Sequence, residues 1–196
     1  MLSRKGEAPF IGVLCDAGGR DGGKYVEAAE EVGHMLGSCG YGVAYNAGLG
    51  SMGNALATSA MRTGSPVIGV ISRRTMNNLL EDRGGELPIG TLHVVDAPAE
   101  KARVLQSLAA LYIALPGGFE VLGSVLDVAR SAVDVARPVV LVNVDRFFDG
   151  LTSQLERCIS AGFSDRASVN RIVVAHSVDE IPNMMRRLLR VTGSAP

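Results

Sequence analysis

The chain has 196 residues, 47% of them apolar and 20% charged, with 19 basic residues against 20 acidic ones. That apolar share excludes a disordered chain, and the near-neutral balance argues against a nucleic-acid binder built on a broad basic face. No apolar run approaches the roughly 20 residues of a membrane helix, and Met1 to Lys5 lead into polar residues rather than the apolar core of a signal peptide. These features predict a soluble cytoplasmic protein with neither a nucleic-acid nor a membrane partner.

Residues 10–15 (FIGVLC) form an apolar run that predicts a buried strand. Residues 24–36 predict a helix, because Val26, Ala29, Val32, Met35 and Leu36 recur near the helical period. Residues 42–45 (GVAY) predict a second strand, 52–61 a helix of small residues, and 66–71 (PVIGVI) a third strand. The polar stretch 72–90, which holds Arg73, Arg74, Asn77, Asn78, Gly84 and Gly85, reads either as a binding flap or as a short helix. Residues 91–95 predict a fourth strand, 100–108 a helix, 111–115 (LYIAL) a fifth strand and 119–135 a helix. Residues 138–144 (PVVLVNV) predict a sixth strand, 147–161 a helix, 171–175 a short last strand and 178–191 a closing helix. The basic side chains of that last helix, Arg186, Arg187 and Arg190, read as a solvated face. Strands that are apolar without alternation are buried on both faces. Their alternation with helices predicts right-handed crossovers and a mostly parallel, doubly wound α/β sheet between two helical layers. No linker, composition break or repeat divides residues 1–196, so a single domain is expected.

The 24 glycines exceed the usual share of about 7% and fall in clusters. In an open parallel sheet the ligand lies beyond the carboxyl ends of the strands. Three loops expected there are glycine-rich: residues 16–23 after the first strand, 46–53 after the second, and 116–119 after the fifth. Each runs into a helix, whose free N–H groups and partial positive charge suit a phosphate. No G-x-G-x-x-G follows the first strand and no Gly-Lys-Ser or Gly-Lys-Thr occurs, which disfavours hydride transfer and ATP-driven phosphoryl transfer. No cofactor is expected. The three cysteines, Cys15, Cys39 and Cys158, are too scattered for a disulfide framework or a zinc site, and no His/Cys/Asp spacing suggests a metal. Cys15 reads as a small buried residue rather than a catalytic thiol, and His34 and His93 as structural histidines.

The run Ala114-Leu115-Pro116-Gly117-Gly118-Phe119 resembles the Lonely Guy (LOG) family of cytokinin riboside 5′-monophosphate phosphoribohydrolases, long mislabelled lysine decarboxylases. The resemblance runs from Ile11 to about Phe163. It takes in residues 12–15, Tyr45 with Gly48, Met52 and Gly53, the strands at 67–71 and 92–96, and residues 142–148 (VNVDRFF). It implies a Rossmann-like three-layer αβα domain, a homodimer, and a site that cleaves the N-glycosidic bond of a nucleoside monophosphate into base and ribose 5-phosphate. The helix at 119–135, with Val121, Leu122, Val125, Val128 and Val133, is apolar on more than one face, which suits a dimer or full burial.

The family pattern P-G-G-x-G-T-x-x-E would set glycine, threonine and glutamate at positions held here by Glu120, Val121 and Ser124. Val121 removes a hydroxyl donor, and Glu120 sets a carboxylate where the resemblance implies a phosphate. Two like charges about 4 Å apart repel by roughly 4 kcal/mol at an effective dielectric near 20. The alternative for Glu120 is a favourable partner of the helix dipole. Lys101 stands where the family has an arginine, keeping the charge without the planar fork, and Arg103 is expected on another face. The first loop has Asp16-Ala17-Gly18 where the family has Gly-Ser-Ser, and the second has Asn46-Ala47-Gly48 where it has three glycines. The candidate catalytic positions are therefore Lys101, Glu120 and Ser124. The candidate ligand- and phosphate-binding positions are Asp16, Gly18, Asn46, Gly48, Gly53, Arg73, Gly117, Gly118 and Val121. The altered positions favour a divergent LOG-like protein without the ordinary hydrolase reaction, binding a nucleotide-like small molecule or a protein partner. The alternative is an active N-glycoside hydrolase in which Glu120 and Lys101 serve as substitute site residues.

Overall fold

The computed structural model describes residues 9–16, 22–48, 50–81, 89–130 and 137–191. The apolar runs become strands: β1 (Phe10–Leu14), β2 (Gly42–Asn46), β3 (Val67–Ser72), β4 (Thr91–Val95), β5 (Ala109–Ala114), β6 (Val139–Val142) and β7 (Ile172–Ala175). The helices between them are α1 (Gly22–Ser38), α2 (Ser51–Arg62), α3 (Arg73–Glu81), α4 (Pro98–Leu108), α5 (Phe119–Ala129), α6 (Asp149–Ser160), α7 (Arg166–Val169) and α8 (Ile181–Val191). The strands hydrogen-bond in the order β4-β3-β2-β1-β5-β6-β7, and every pair is parallel. Buried residues run along β6 without a break, as a strand covered on both faces requires.

Two apolar layers flank the sheet. One joins Ile11, Val13, Val43 and Ile113 to α1, α2 and α8 through Val32, Leu36, Leu56, Met185 and Leu189. The other joins Leu14, Tyr112, Ala114 and Leu141 to α4 and α5 through Leu105, Val121, Val125 and Val128. Part of the glycine excess serves this packing rather than any ligand. A Cβ on Gly33 of α1 would lie 2.3 Å from the Leu56 carbonyl oxygen of α2, and one on Gly37 would lie 1.7 Å from Thr63 Oγ1. A Cβ on Gly12 would lie 2.6 Å from the Tyr112 ring.

Several boundaries differ from the sequence expectation. Of the two readings of residues 72–90, the structure has a helix over Arg73–Glu81, and residues 82–88 lie outside the described residues. Ser72 Oγ accepts the Thr75 N–H at 3.2 Å and so starts that helix. The helix expected over 119–135 ends at Ala129, and 131–136 lie outside the described residues. The helix expected from residue 147 starts at Asp149. A 3₁₀ turn, Val144–Arg146, precedes it, with Asp145 at φ 54° and Arg146 at φ 61°, both left-handed. Asn143 fixes this corner, accepting the Phe148 N–H at 2.7 Å and donating to Asp149 Oδ1 at 2.8 Å. The closing helix divides into a 3₁₀ turn, Val178–Glu180, and α8, whose first turn tolerates Pro182 because its N–H has no helical acceptor there. Helix α7 had no counterpart in the sequence expectation, since four residues are too few to show a period.

Candidate functional site

The order of the strands decides where a site can form. From β1 the chain winds outward through β2, β3 and β4, then returns to lay β5 on the other side of β1 and winds outward again. The β1/β5 boundary is therefore the switch point of the sheet, where the loops after the two strands part and leave a crevice. The Leu115 N–H donates to the Leu14 carbonyl at 2.9 Å, so the two strands stay paired up to that end. Beyond it stand Cys15 and Asp16 from β1, Asn46 to Gly48 from β2, and Pro116 to Gly118 leading into α5.

Asp16 reaches across this crevice. Its Oδ2 accepts the Gly118 N–H at 2.9 Å, which sets a carboxylate on the first turn of α5. Gly118 is the residue before that helix and has no side chain to cap it, so Asp16 caps it from another element. The two glycines make room for this contact. A Cβ on Gly117 would lie 2.5 Å from Val121 Cγ2 and 3.1 Å from Asp16 Cβ, and one on Gly118 would lie 3.2 Å from Asp16 Oδ2. Val121 is 1% exposed and belongs to the core beneath α5 rather than to the crevice. Glu120 is exposed in the first turn of α5, and Ser124 is half-buried one turn further on.

Lys101 enters from α4. Its Nζ donates to the Ala47 carbonyl oxygen at 3.3 Å, which brings the ammonium to the end of β2. Burial pulls its pKa below the ordinary lysine value, and the negative charge of Glu120 opposes that pull. Arg103, two positions on, instead lines a separate groove of about 370 Å³ between β4 and α4, together with His93, Asp96, Glu100 and Ser107. Sequence reasoning expected these two side chains on different faces, and they are.

Asn46 turns out to be framework. Its Oδ1 accepts the Cys15 N–H at 2.9 Å and its Nδ2 donates to the Cys15 carbonyl at 2.8 Å, tying the ends of β1 and β2 together. Cys15 itself is 3% exposed, and burial pushes its thiol up to about 12, against the lowering charge of Lys101. Gly53 gives room to the Tyr45 ring, 3.1 Å from where its Cβ would be, and the Tyr45 hydroxyl donates to the Ile89 carbonyl at 2.9 Å. Gly48 faces open space. Arg73 is exposed and paired to Asp96 at 2.6 Å, at the far side of the sheet end. Gly18 lies outside the described residues. His34 and His93 are exposed. Among the described residues no group of three or more His, Cys, Asp or Glu could hold a metal ion, and no helix is long and apolar enough to cross a membrane.

The structure thus brings Asp16, Gly48, Lys101, Gly117, Gly118 and Glu120 to one crevice. Sequence reasoning missed the Ala47 carbonyl that positions Lys101, because a backbone acceptor leaves no residue-type signal.

A family model described as "Possible lysine decarboxylase" matches residues 52–185. The cytokinin riboside 5′-monophosphate phosphoribohydrolase LOG of Oryza sativa subsp. japonica is 32% identical over 176 residues, covering 87% of this chain and 70% of that protein. The cytokinin riboside 5′-monophosphate phosphoribohydrolase of Mycobacterium tuberculosis is 26% identical over 157 residues, covering 79% of this chain and 82% of that one. Among solved structures, the molybdenum cofactor binding protein of Rippkaea orientalis superposes with a TM-score of 0.67 at 17% identity, covering 93% of this chain and 98% of that one. The Moco carrier protein of Chlamydomonas gives a TM-score of 0.66 at 18% identity, covering 94% and 99%. At that identity the two structures establish a shared Rossmann-like fold. The match over residues 52–185 and the identity to the rice protein establish more: this chain belongs to the LOG family, the one described as possible lysine decarboxylases.

Proposed function

We propose that this protein is a divergent LOG-family member that binds a nucleotide-like small molecule at the β1/β5 crevice without performing the family's ordinary phosphoribohydrolase reaction. The observation that carries this reading is what α5 presents. Where the family resemblance implies a threonine and a glutamate, α5 has Val121, buried at 1%, and Ser124. A valine in the core donates nothing to a phosphate. A serine hydroxyl holds no charge to support an oxocarbenium-like departure of a base. Among the described residues Lys101 remains as a cation for the ligand to contact. Family membership and the phosphoribohydrolase relatives support a nucleotide-like ligand. The binding and carrier roles named for the two solved structures accord with a ligand-holding role for this fold.

A second reading has one observation of its own. The negative charge of Glu120 opposes the lowering of the Lys101 pKa, so a carboxylate stands near that ammonium in the place of the missing glutamate. Incubation of the pure protein with AMP and N6-substituted adenosine monophosphates, with detection of free base and ribose 5-phosphate, separates the two. The binding reading predicts no release. Release at rates ordinary for enzymes, abolished by Glu120→Ala, would establish the hydrolase instead.

A homodimer and a cytoplasmic location accompany the proposal. Exposed Phe119 and Leu126 on α5, at 95% and 41%, support a protein-covered surface there. Sedimentation equilibrium of the full chain tests it: a mass of one chain at micromolar concentration would remove the dimer from the account.

A further inference from the structure

The crevice carries a specificity device. Resting on the binding reading above, we propose that Asp16 determines which ligands the site refuses. Its carboxylate takes the start of α5 that a ligand's phosphate would otherwise occupy, so the nucleotide-like ligand is one with no phosphate monoester at that end, a nucleoside or its neutral equivalent.

Three observations converge on this. First, the Gly118 N–H, the first of the four N–H groups that head α5, is already given to Asp16 Oδ2 at 2.9 Å. Asp16 is anchored 102 residues away in sequence, at the end of β1, so the contact belongs to the fold and not to a local turn. Second, the backbone is shaped around this carboxylate: a Cβ at either Gly117 or Gly118 would press on Asp16, at 3.1 and 3.2 Å. Third, among the described residues two carboxylates, Asp16 and Glu120, stand at the start of α5. Glu120 is exposed in the first turn of α5, and its negative charge reaches the Lys101 ammonium, whose pKa burial lowers. Arg73, another cation expected to serve a phosphate, is paired to Asp96. A phosphate dianion approaching α5 therefore meets a carboxylate already seated on the first N–H of the helix and a second one in the same helical turn. A ribose hydroxyl or another neutral polar group meets neither obstacle, and Lys101 and the Ala47 carbonyl remain as a donor and an acceptor for it.

The test compares adenosine, AMP and inorganic phosphate by calorimetric titration of the full chain. Wild-type protein should bind adenosine at least tenfold tighter than AMP and show no inorganic phosphate binding. Asp16→Ala, which vacates the head of α5, should bind AMP at least tenfold tighter than wild type does and should bind inorganic phosphate. Asp16→Asn removes the charge but leaves an oxygen to accept the Gly118 N–H, so its gain for AMP should be smaller than that of Asp16→Ala. If the alanine variant does not fold, the asparagine variant still decides the matter, because its gain for AMP must exceed wild type. Wild-type binding of AMP as tight as that of adenosine, or variants with no gain for AMP, would overturn the role of Asp16 while leaving the binding reading intact. Failure of every form to bind either adenosine or AMP would overturn both.

Discussion

Asn46 offers a sharp separation between a residue that holds the crevice together and one that touches the ligand. Replacing it with alanine removes two hydrogen bonds to the Cys15 backbone, at 2.9 and 2.8 Å. Each such bond contributes about 0.5–1.5 kcal/mol net, which gives a loss of about 1–3 kcal/mol. The upper end applies here, because Cys15 is 3% exposed and its freed N–H and C=O would have little access to water. At roughly 2–4 °C per kcal/mol for a domain of this size, a loss of about 3 kcal/mol lowers the melting temperature by about 6–12 °C. Asn46→Asp should fall as far, because it keeps the acceptor for the N–H but sets an oxygen against the Cys15 carbonyl. Urea unfolding without ligand measures both variants. A midpoint for Asn46→Ala equal to wild type, together with lost adenosine binding, would refute the framework role and return Asn46 to the ligand contacts expected from sequence.

Tyr112→Phe should stabilise the protein by about 1 kcal/mol or more in urea unfolding, because the Tyr112 hydroxyl is buried with no hydrogen-bond partner among the described residues; a loss of stability would show that the hydroxyl has an acceptor. Gly33→Ala should cost about 1–3 kcal/mol in the same assay, since its methyl would press on the Leu56 carbonyl of the neighbouring helix from 2.3 Å; an unchanged midpoint would mean that α1 and α2 are not so closely packed. Exposed Cys39 should react with a thiol reagent at pH 8 while buried Cys15 stays silent until the chain unfolds. The Cys15 thiol has its pKa raised from 9.0 to about 12 in the fold, so its contribution is fully present below pH 9 and is lost as pH rises toward 12. Cys15→Ala should flatten that part of the alkaline stability profile, and an unchanged profile would contradict the burial argument.

The fold was legible because its signal is local. Runs such as FIGVL and VVLV state a doubly covered strand in a few residues, and Val26, Ala29, Val32 and Leu36 state the face of α1. Helix α7, with four residues, was illegible for the same reason, and α3, which buries Leu79 alone among its residues, stood only as one of two readings. The site was legible in its loops and not in its roles. That Asp16, Gly117, Gly118 and Glu120 would meet followed from the loops at the carboxyl ends of the strands, whereas Lys101, inside α4, came from the resemblance to the LOG family. That Asp16 would bond Gly118, 102 residues on, and that Asn46 would bond Cys15, 31 residues back, depends on strand order and register, which no local pattern carries.

The account stands most directly on where a ligand sits. Titration of adenosine into isotope-labelled protein, followed by two-dimensional amide NMR, locates it residue by residue. The account predicts shifts concentrated at Asp16, Gly48, Lys101, Gly117 and Gly118, with the β4/α4 groove around His93, Glu100 and Arg103 unmoved. Shifts confined to that groove, or none at saturating adenosine, would contradict it.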